Sequence, residues 1–155
     1  MIEAWRIAKT ADIRKAFSGE GARLYGGRWN NKGTPVVYAA ATRSLAMLEI
    51  LVHVRNAQQT VPPIPYMLFP VSFDDRLIEE LPPSSLPPDW DFEPPTDSTR
   101  SIGDAWVSAA SSPVLSVPSV LVPEERNYIL NPSHDLFAQI QLGLPVPCKF
   151  DPRLL

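Results

Sequence analysis

A carboxylate in the middle of an apolar helix needs a reason to be there, and Glu49 is such a group. In Leu45-Ala46-Met47-Leu48-Glu49-Ile50-Leu51-Val52 the apolar side chains surround the helix at almost every angle, which predicts burial on all faces. A buried carboxylate must be paired, hydrogen-bonded or open to a cleft. Two readings stay open: a buried ion pair with an arginine, or a carboxylate that acts on a bound substrate. Helical spacing places Leu45, Ala46, Val52 and His53 beside it.

Arg28 lies in Gly26-Gly27-Arg28-Trp29-Asn30, with Gly33 following. Glycines there permit a tight turn and let a ligand approach the main chain. The planar guanidinium fork matches phosphate or carboxylate oxygens and keeps its charge near neutral pH. The glycine spacing is neither the dinucleotide nor the P-loop form, so a hairpin turn competes with an anion site. Arg6, on the first strand, is a second cation able to reach the same place.

Tyr38 ends Thr34-Pro35-Val36-Val37-Tyr38 and shares a strand face with Val36 and Ala40. It reads either as a core tyrosine or as a platform for an aromatic ligand, with a hydroxyl able to make one directed hydrogen bond. Ser119 sits in Val117-Pro118-Ser119-Val120-Leu121-Val122-Pro123, one hydroxyl in an apolar run. No Gly-x-Ser-x-Gly elbow surrounds it, which argues against a serine hydrolase using His53 or His134. Those two histidines also lack the His-Glu-x-x-His spacing of a metal site, so no metal is expected. Asn127 begins the polar stretch Asn127-Tyr128-Ile129-Leu130-Asn131-Pro132, where Asn131 before Pro132 predicts a turn.

The elements that must position these groups alternate along the chain. Trp5–Ile7, Val36–Ala40, Tyr66–Phe73 and Val114–Val122 read as strands. Ala11–Phe17, residues 43–55 after an N-cap at Thr42, Ile102–Ala110 and Leu136–Gln141 read as helices, and Gly19–Gly33 as a polar loop. Short strands without regular βαβ spacing favour a mixed, largely antiparallel α+β fold. Ten of the eighteen prolines lie between Pro62 and Pro95. A proline-rich excursion over about 62–97 is therefore expected, its later part (82–97) an ordered excursion or a mobile loop with Trp90 and Phe92 as anchors.

With 155 residues, 45% of them hydrophobic, the chain predicts one domain over 1–155 with a real core. The single Cys148 excludes a disulfide framework or a cysteine zinc site and suits a reducing cytoplasm. No run reaches the ~18 apolar residues of a membrane span, and Glu3 and Arg6 follow Met1 where a signal core would lie, so a soluble, unexported protein is expected. The net charge of −3 argues against general nucleic-acid binding. Residues 1–55 hold nine Lys/Arg against four acids, +5, and the remainder five against thirteen, −8. A basic segment in an acidic chain suits a small anionic ligand or an acidic partner strip; a solvated surface is the plainer alternative.

In order along the chain, Trp5-Arg6-Ile7, Gly19-Glu20-Gly21-Ala22, Gly26-Gly27-Arg28-Trp29-Asn30, Val37-Tyr38-Ala39-Ala40, Leu45-Ala46-Met47-Leu48-Glu49, Gly103-Asp104-Ala105-Trp106, Val117-Pro118-Ser119 and Asn127-Tyr128-Ile129-Leu130-Asn131-Pro132 resemble the RES-domain toxins of bacterial toxin–antitoxin pairs. The resemblance covers most of the chain, the proline-rich stretch excepted. It implies a fold similar to ADP-ribosyltransferase toxins and an activity that consumes NAD. Glycohydrolase or phosphorylase cleavage of the nicotinamide–ribose bond is the first expectation; ADP-ribosylation of a protein and a non-catalytic binding module are the alternatives. The family's named residues fall on Arg28, Glu49 and Ser119, with Tyr38 as a fourth active-site position, so these four are the expected catalytic residues; Arg6, Arg28, Tyr38 and Asn127 are expected to bind substrate. It also implies a helix-turn-helix, Xre-type antitoxin that occludes the site and carries any DNA binding.

Overall fold

The structure is a computed structural model and describes residues 1–56 and 66–154. Strands β1 (Ile2–Ala8), β2 (Val37–Ala40), β3 (Tyr66–Phe73), β4 (Ile78–Glu80), β5 (Val114–Pro118), β6 (Arg126–Leu130), β7 (Gln141–Leu142) and β8 (Val146–Cys148) form one sheet. Helices α1 (Ile13–Ala16), α2 (Glu20–Tyr25), α3 (Arg43–Asn56) and α4 (Asp97–Ala109) cover it. The strand order is β4-β5-β6-β2-β1-β3-β7, with β8 also paired to β3. The β4–β5 pair is parallel and the other pairs are antiparallel. This is the mixed, largely antiparallel α+β fold that the strand spacing predicts.

Register sorts the core into two faces, because residues opposite one another share a side of the sheet. Ala4, Ala8, Val37, Ala39, Phe69, Val71, Tyr128 and Leu130 line one face under α1. On the other, Ile7, Ala40 and Leu68 pack against Leu45 and Ala46 of α3, while Leu115, Val117 and Ile129 pack against Trp29 and Trp106. That second face therefore carries two apolar clusters side by side. The row Ala40–Asn127–Val117 crosses it, and an amide stands where strand alternation would otherwise bury a hydrocarbon.

Several boundaries differ from expectation for local reasons. The Gly19–Gly33 loop contains α2, which begins after Gly19 at φ +77, a backbone angle that costs glycine nothing. The strand expected over Val114–Val122 stops at Pro118, and the chain turns at Ser119, whose hydroxyl accepts from the amides of Leu121 and Val122. Leu136–Gln141 supplies one 3-10 turn, Phe137–Gln139, and then β7. Pro70 is tolerated inside β3 because its carbonyl side, and hence its missing donor, faces the gap between β7 and β8, where Gly143 N donates to Pro70 O.

Thr42 caps α3 as expected, its hydroxyl accepting from Leu45 N. Burial on every face of that helix is not observed: Leu45, Ala46 and Val54 are buried, but Leu48 is 42% and Val52 36% exposed. The two lie four residues apart, so the sheet covers one side of the helix and this stripe faces outward. Of the proline-rich stretch, Pro62, Pro63 and Pro65 lie outside the described residues. Residues 82–97 run through one 3-10 turn, Pro83–Ser85, and further turns to the first residue of α4. Asp89 holds its base by accepting from Thr96 and Ser98 at 2.7 and 2.6 Å. Trp90 packs beside Trp29 and Trp106, whereas Phe92 is 56% exposed and anchors nothing.

Candidate active site

Glu49 projects from α3 toward the row containing Asn127. Its Oε1 accepts hydrogen bonds from Ser119 Oγ at 2.9 Å and Asn127 Nδ2 at 2.8 Å. Its Oε2 takes no hydrogen bond from any described residue. These partners are neutral, and among the described residues no arginine forms the buried Glu–Arg pair that was the alternative. Two donors on one oxygen orient the carboxylate and leave the other oxygen available.

Ser119 is saturated by this arrangement. A hydroxyl has one proton and two lone pairs; the proton goes to Glu49, and the lone pairs accept from Leu121 N at 3.1 Å and Val122 N at 3.2 Å. It is fully buried, and its proton and both lone pairs are engaged within the protein. Asn127 holds the same carboxylate oxygen, and its own Oδ1 is buried without a partner.

Tyr38 lies two residues before Ala40 on the same strand face, about 7 Å along the strand from the Asn127 row. Its hydroxyl donates to Asn30 Oδ1 at 2.6 Å and accepts from Trp29 N at 3.1 Å. Burial, the largest influence, pushes the phenol well above its ordinary range. This hydroxyl is a structural tie between β2 and the loop that presents Arg28, and no proton acceptor. Replacement by phenylalanine, expected to be harmless if only the ring mattered, instead strips partners from the Trp29 amide and from Asn30, itself fully buried. Tyr38→Phe is expected to lose about 1–3 kcal/mol in denaturant unfolding. A stability equal to the parent would show that the tie contributes nothing.

The loop is pinned again from α4. Asp104 accepts from Asn31 N at 3.1 Å and from Asn31 Nδ2 at 2.8 Å, and Asn30 Nδ2 donates to the carbonyls of Ala22, Asn31 and Thr34. Asn30 and Asp104 were not singled out as site residues in the sequence. Gly103 inside an amphipathic helix was the available signal, since such a glycine marks a close backbone approach.

Arg28 emerges from this loop with its side chain 15% exposed. Nη1 donates to the carbonyls of Trp90 at 3.1 Å and Phe92 at 2.7 Å, and Nη2 pairs with Glu93 at 2.9 Å. Arg6 behaves differently. It shares its strand face with Ala4 and Ala8, the side opposite Tyr38, and its guanidinium lies where β1 and β2 pair at the single position Trp5–Ala40. Nε donates to Ala16 O and Nη1 to Tyr38 O. Burial lowers its pKa to about 10, which still leaves it charged at neutral pH. The structure thus joins Glu49, Ser119 and Asn127 directly, ties Tyr38 to the Arg28 loop, and leaves Arg6, expected to reach the same site, on the opposite face bonded to the carbonyls of Ala16 and Tyr38.

Among the described residues no group of three or more His, Cys, Asp or Glu could hold a metal ion. No helix among them is long and apolar enough to cross a membrane.

The comparisons with known proteins match nearly the whole chain that builds this sheet. The RES domain family model matches residues 3–151. A protein of Yersinia enterocolitica serotype O:8 named Toxin Res is 39% identical over 97% of both chains. A Sphingobium protein named Prs ADP-ribosylating toxin is 37% identical over 97% of this chain and 95% of its own. In fold, the chain is similar to one in the crystal structure of the M. tuberculosis MbcT–MbcA toxin–antitoxin complex, with a TM-score of 0.78, 23% identity, and coverage of 96% of this chain and 84% of that one. The chain belongs to the RES-domain family, and it is a toxin of that family.

Proposed function

We propose that this toxin breaks the bond between nicotinamide and ribose in NAD, releasing nicotinamide and passing the ADP-ribosyl group to water or phosphate. The observation that carries the reading is the Glu49 carboxylate, one oxygen tied down by Ser119 and Asn127 and the other taking no hydrogen bond from any described residue. As nicotinamide leaves, positive charge develops on the ribose. A fixed carboxylate stabilises that charge strongly because it needs no reorganisation when the charge appears. Arg28 offers a guanidinium to the pyrophosphate and the Tyr38 ring a wall on the same sheet face, while Arg6, on the opposite face, braces the Tyr38 carbonyl from behind. In this reading NAD is the substrate, no metal takes part, and the cytoplasm, where NAD is abundant, is where the toxin acts.

Transfer of ADP-ribose to a protein is the second reading, favoured by the Sphingobium relative whose name is that of an ADP-ribosylating toxin. Such an activity in a cell's own cytoplasm calls for restraint. A helix-turn-helix, Xre-type antitoxin that presents an acidic segment to Arg28 would supply it and would carry any DNA binding. A complex of toxin and antitoxin is what the structurally similar M. tuberculosis pair forms.

One experiment separates these readings. Purified protein is incubated with NAD, with and without phosphate, alone and after saturation with its antitoxin. Free nicotinamide is expected without lysate, and its release should stop in the complex. Unchanged NAD with folded, antitoxin-free protein overturns NAD cleavage onto water or phosphate. Consumption only in the presence of lysate protein transfers the case to the second reading, and full turnover in the complex overturns occlusion.

A further inference from the structure

The proline-rich segment does more than pass over the loop, because it lays a carboxylate on Arg28. The guanidinium has five N–H donors, and three are used: two on the carbonyls of Trp90 and Phe92 and one on Glu93. The carbonyl bonds hold the arginine against the segment without neutralising it. Glu93 supplies the counter-charge, with its own side chain 58% exposed while Arg28 is 15% exposed. The segment is anchored elsewhere, by Trp90 in the apolar cluster and by the bonds of Thr96 and Ser98 to Asp89. Glu93 can therefore swing outward while the rest of the segment stays in place.

We propose that Glu93 is an internal anion mimic that sets the affinity of the Arg28 seat: a phosphate group binds there by displacing the Glu93 carboxylate. Two doubly charged or singly charged anions at one guanidinium repel each other, and the Nη2 edge that suits a bidentate phosphate is the edge Glu93 already holds. A pyrophosphate carries more charge than one carboxylate and spans more donors, so it wins the exchange. A single weak carboxylate does not. The seat thereby favours diphosphate-bearing ligands over simple carboxylates, which sharpens the choice of substrate class. The inference rests on the reading of Arg28 as an anion seat for the dinucleotide.

The test uses the whole chain and inorganic pyrophosphate as the probe, measured by calorimetry at low and high salt, with NAD turnover followed separately. Glu93→Gln keeps the shape and removes the charge of an exposed side chain, so folding is not at risk. It is expected to tighten pyrophosphate binding about fivefold at low salt, in line with the loss of one partly exposed ion pair, and the gain should shrink as ionic strength rises. Arg28→Ala should abolish binding in both backgrounds. Equal or weaker binding by Glu93→Gln, with Arg28→Ala still destructive, overturns the mimic and assigns Glu93 to loop structure alone. Failure of pyrophosphate to bind the parent and Glu93→Gln alike overturns it as well. Tightened binding in a protein that leaves NAD intact supports the mimic while sinking the proposed reaction, so the two failures are distinguishable.

Discussion

Glu49→Gln is expected to lower NAD turnover by about 10²–10³ fold while leaving NAD binding largely intact. The magnitude is that of removing one preorganised group aimed at transition-state charge. The substitution is unusually clean here. A glutamine carbonyl in the place of Oε1 still accepts from Ser119 Oγ and Asn127 Nδ2, so what disappears is the negative charge of the carboxylate. A thermal melt close to the parent's, together with a kcat loss at nearly constant KM, is the expected pattern. Ser119→Ala makes an informative companion, since it removes one bond to Glu49 and also orphans the amides of Leu121 and Val122. It should lose stability, by about 1–3 kcal/mol, and its turnover should fall less than that of Glu49→Gln. Turnover that survives Glu49→Gln unchanged rules out the carboxylate as the charge-stabilising group.

Gly103→Ala should be the most damaging small substitution in the fold. In an open helix, replacing glycine by alanine gains about 1 kcal/mol. At Gly103, a Cβ would collide with the Trp29 backbone carbonyl, a group fixed by the Arg28 loop and unable to yield as a flexible side chain would. The sign therefore reverses, with an overpacking loss of about 1–3 kcal/mol or more. For a chain of this size each kcal/mol moves the melting temperature by roughly 2–4 °C. Gly21→Ala is the internal control, because its added Cβ meets nothing within 4 Å; a small gain is expected there. Because Trp29 adjoins Arg28, a folded fraction of Gly103→Ala should also bind pyrophosphate more weakly. A melting temperature at or above the parent's would show that the loop moves aside freely.

Much of this fold was legible in the sequence. Tyr66–Phe73 is a strand with the expected bounds, Thr42 starts the long helix, β2 begins one residue after the expected Val36, and β1 extends the expected Trp5–Ile7 to Ile2–Ala8. These features depend on propensity and period over a few residues, which any short stretch carries within itself. The oddness of Glu49 was equally local: a charge in an apolar helix can be seen without knowing its neighbours. So was the anion-gripping chemistry of Arg28, which belongs to the guanidinium and its glycines.

Which groups meet was decided by tertiary structure alone. Ser119 and Asn127 reach Glu49 across 70 and 78 residues of sequence, and only the registers of β2, β6 and β5 place Asn127 between Ala40 and Val117 under α3. Saturation of the Ser119 hydroxyl, which makes it a support for the carboxylate, depends on a turn at the end of β5 that an apolar run with two prolines did not distinguish from continued strand. The Tyr38 hydroxyl was free in the sequence and is committed in the fold, because the loop it holds returns to β2 through Asn30. Glu93 lies 65 residues from Arg28, in a segment whose composition announced only that it was neither a central strand nor a helix. Periodicity records what each stretch can bury. It does not record which distant partner completes a hydrogen bond, and at this site those long-range bonds determine which oxygen, which hydroxyl and which cation remain available for chemistry.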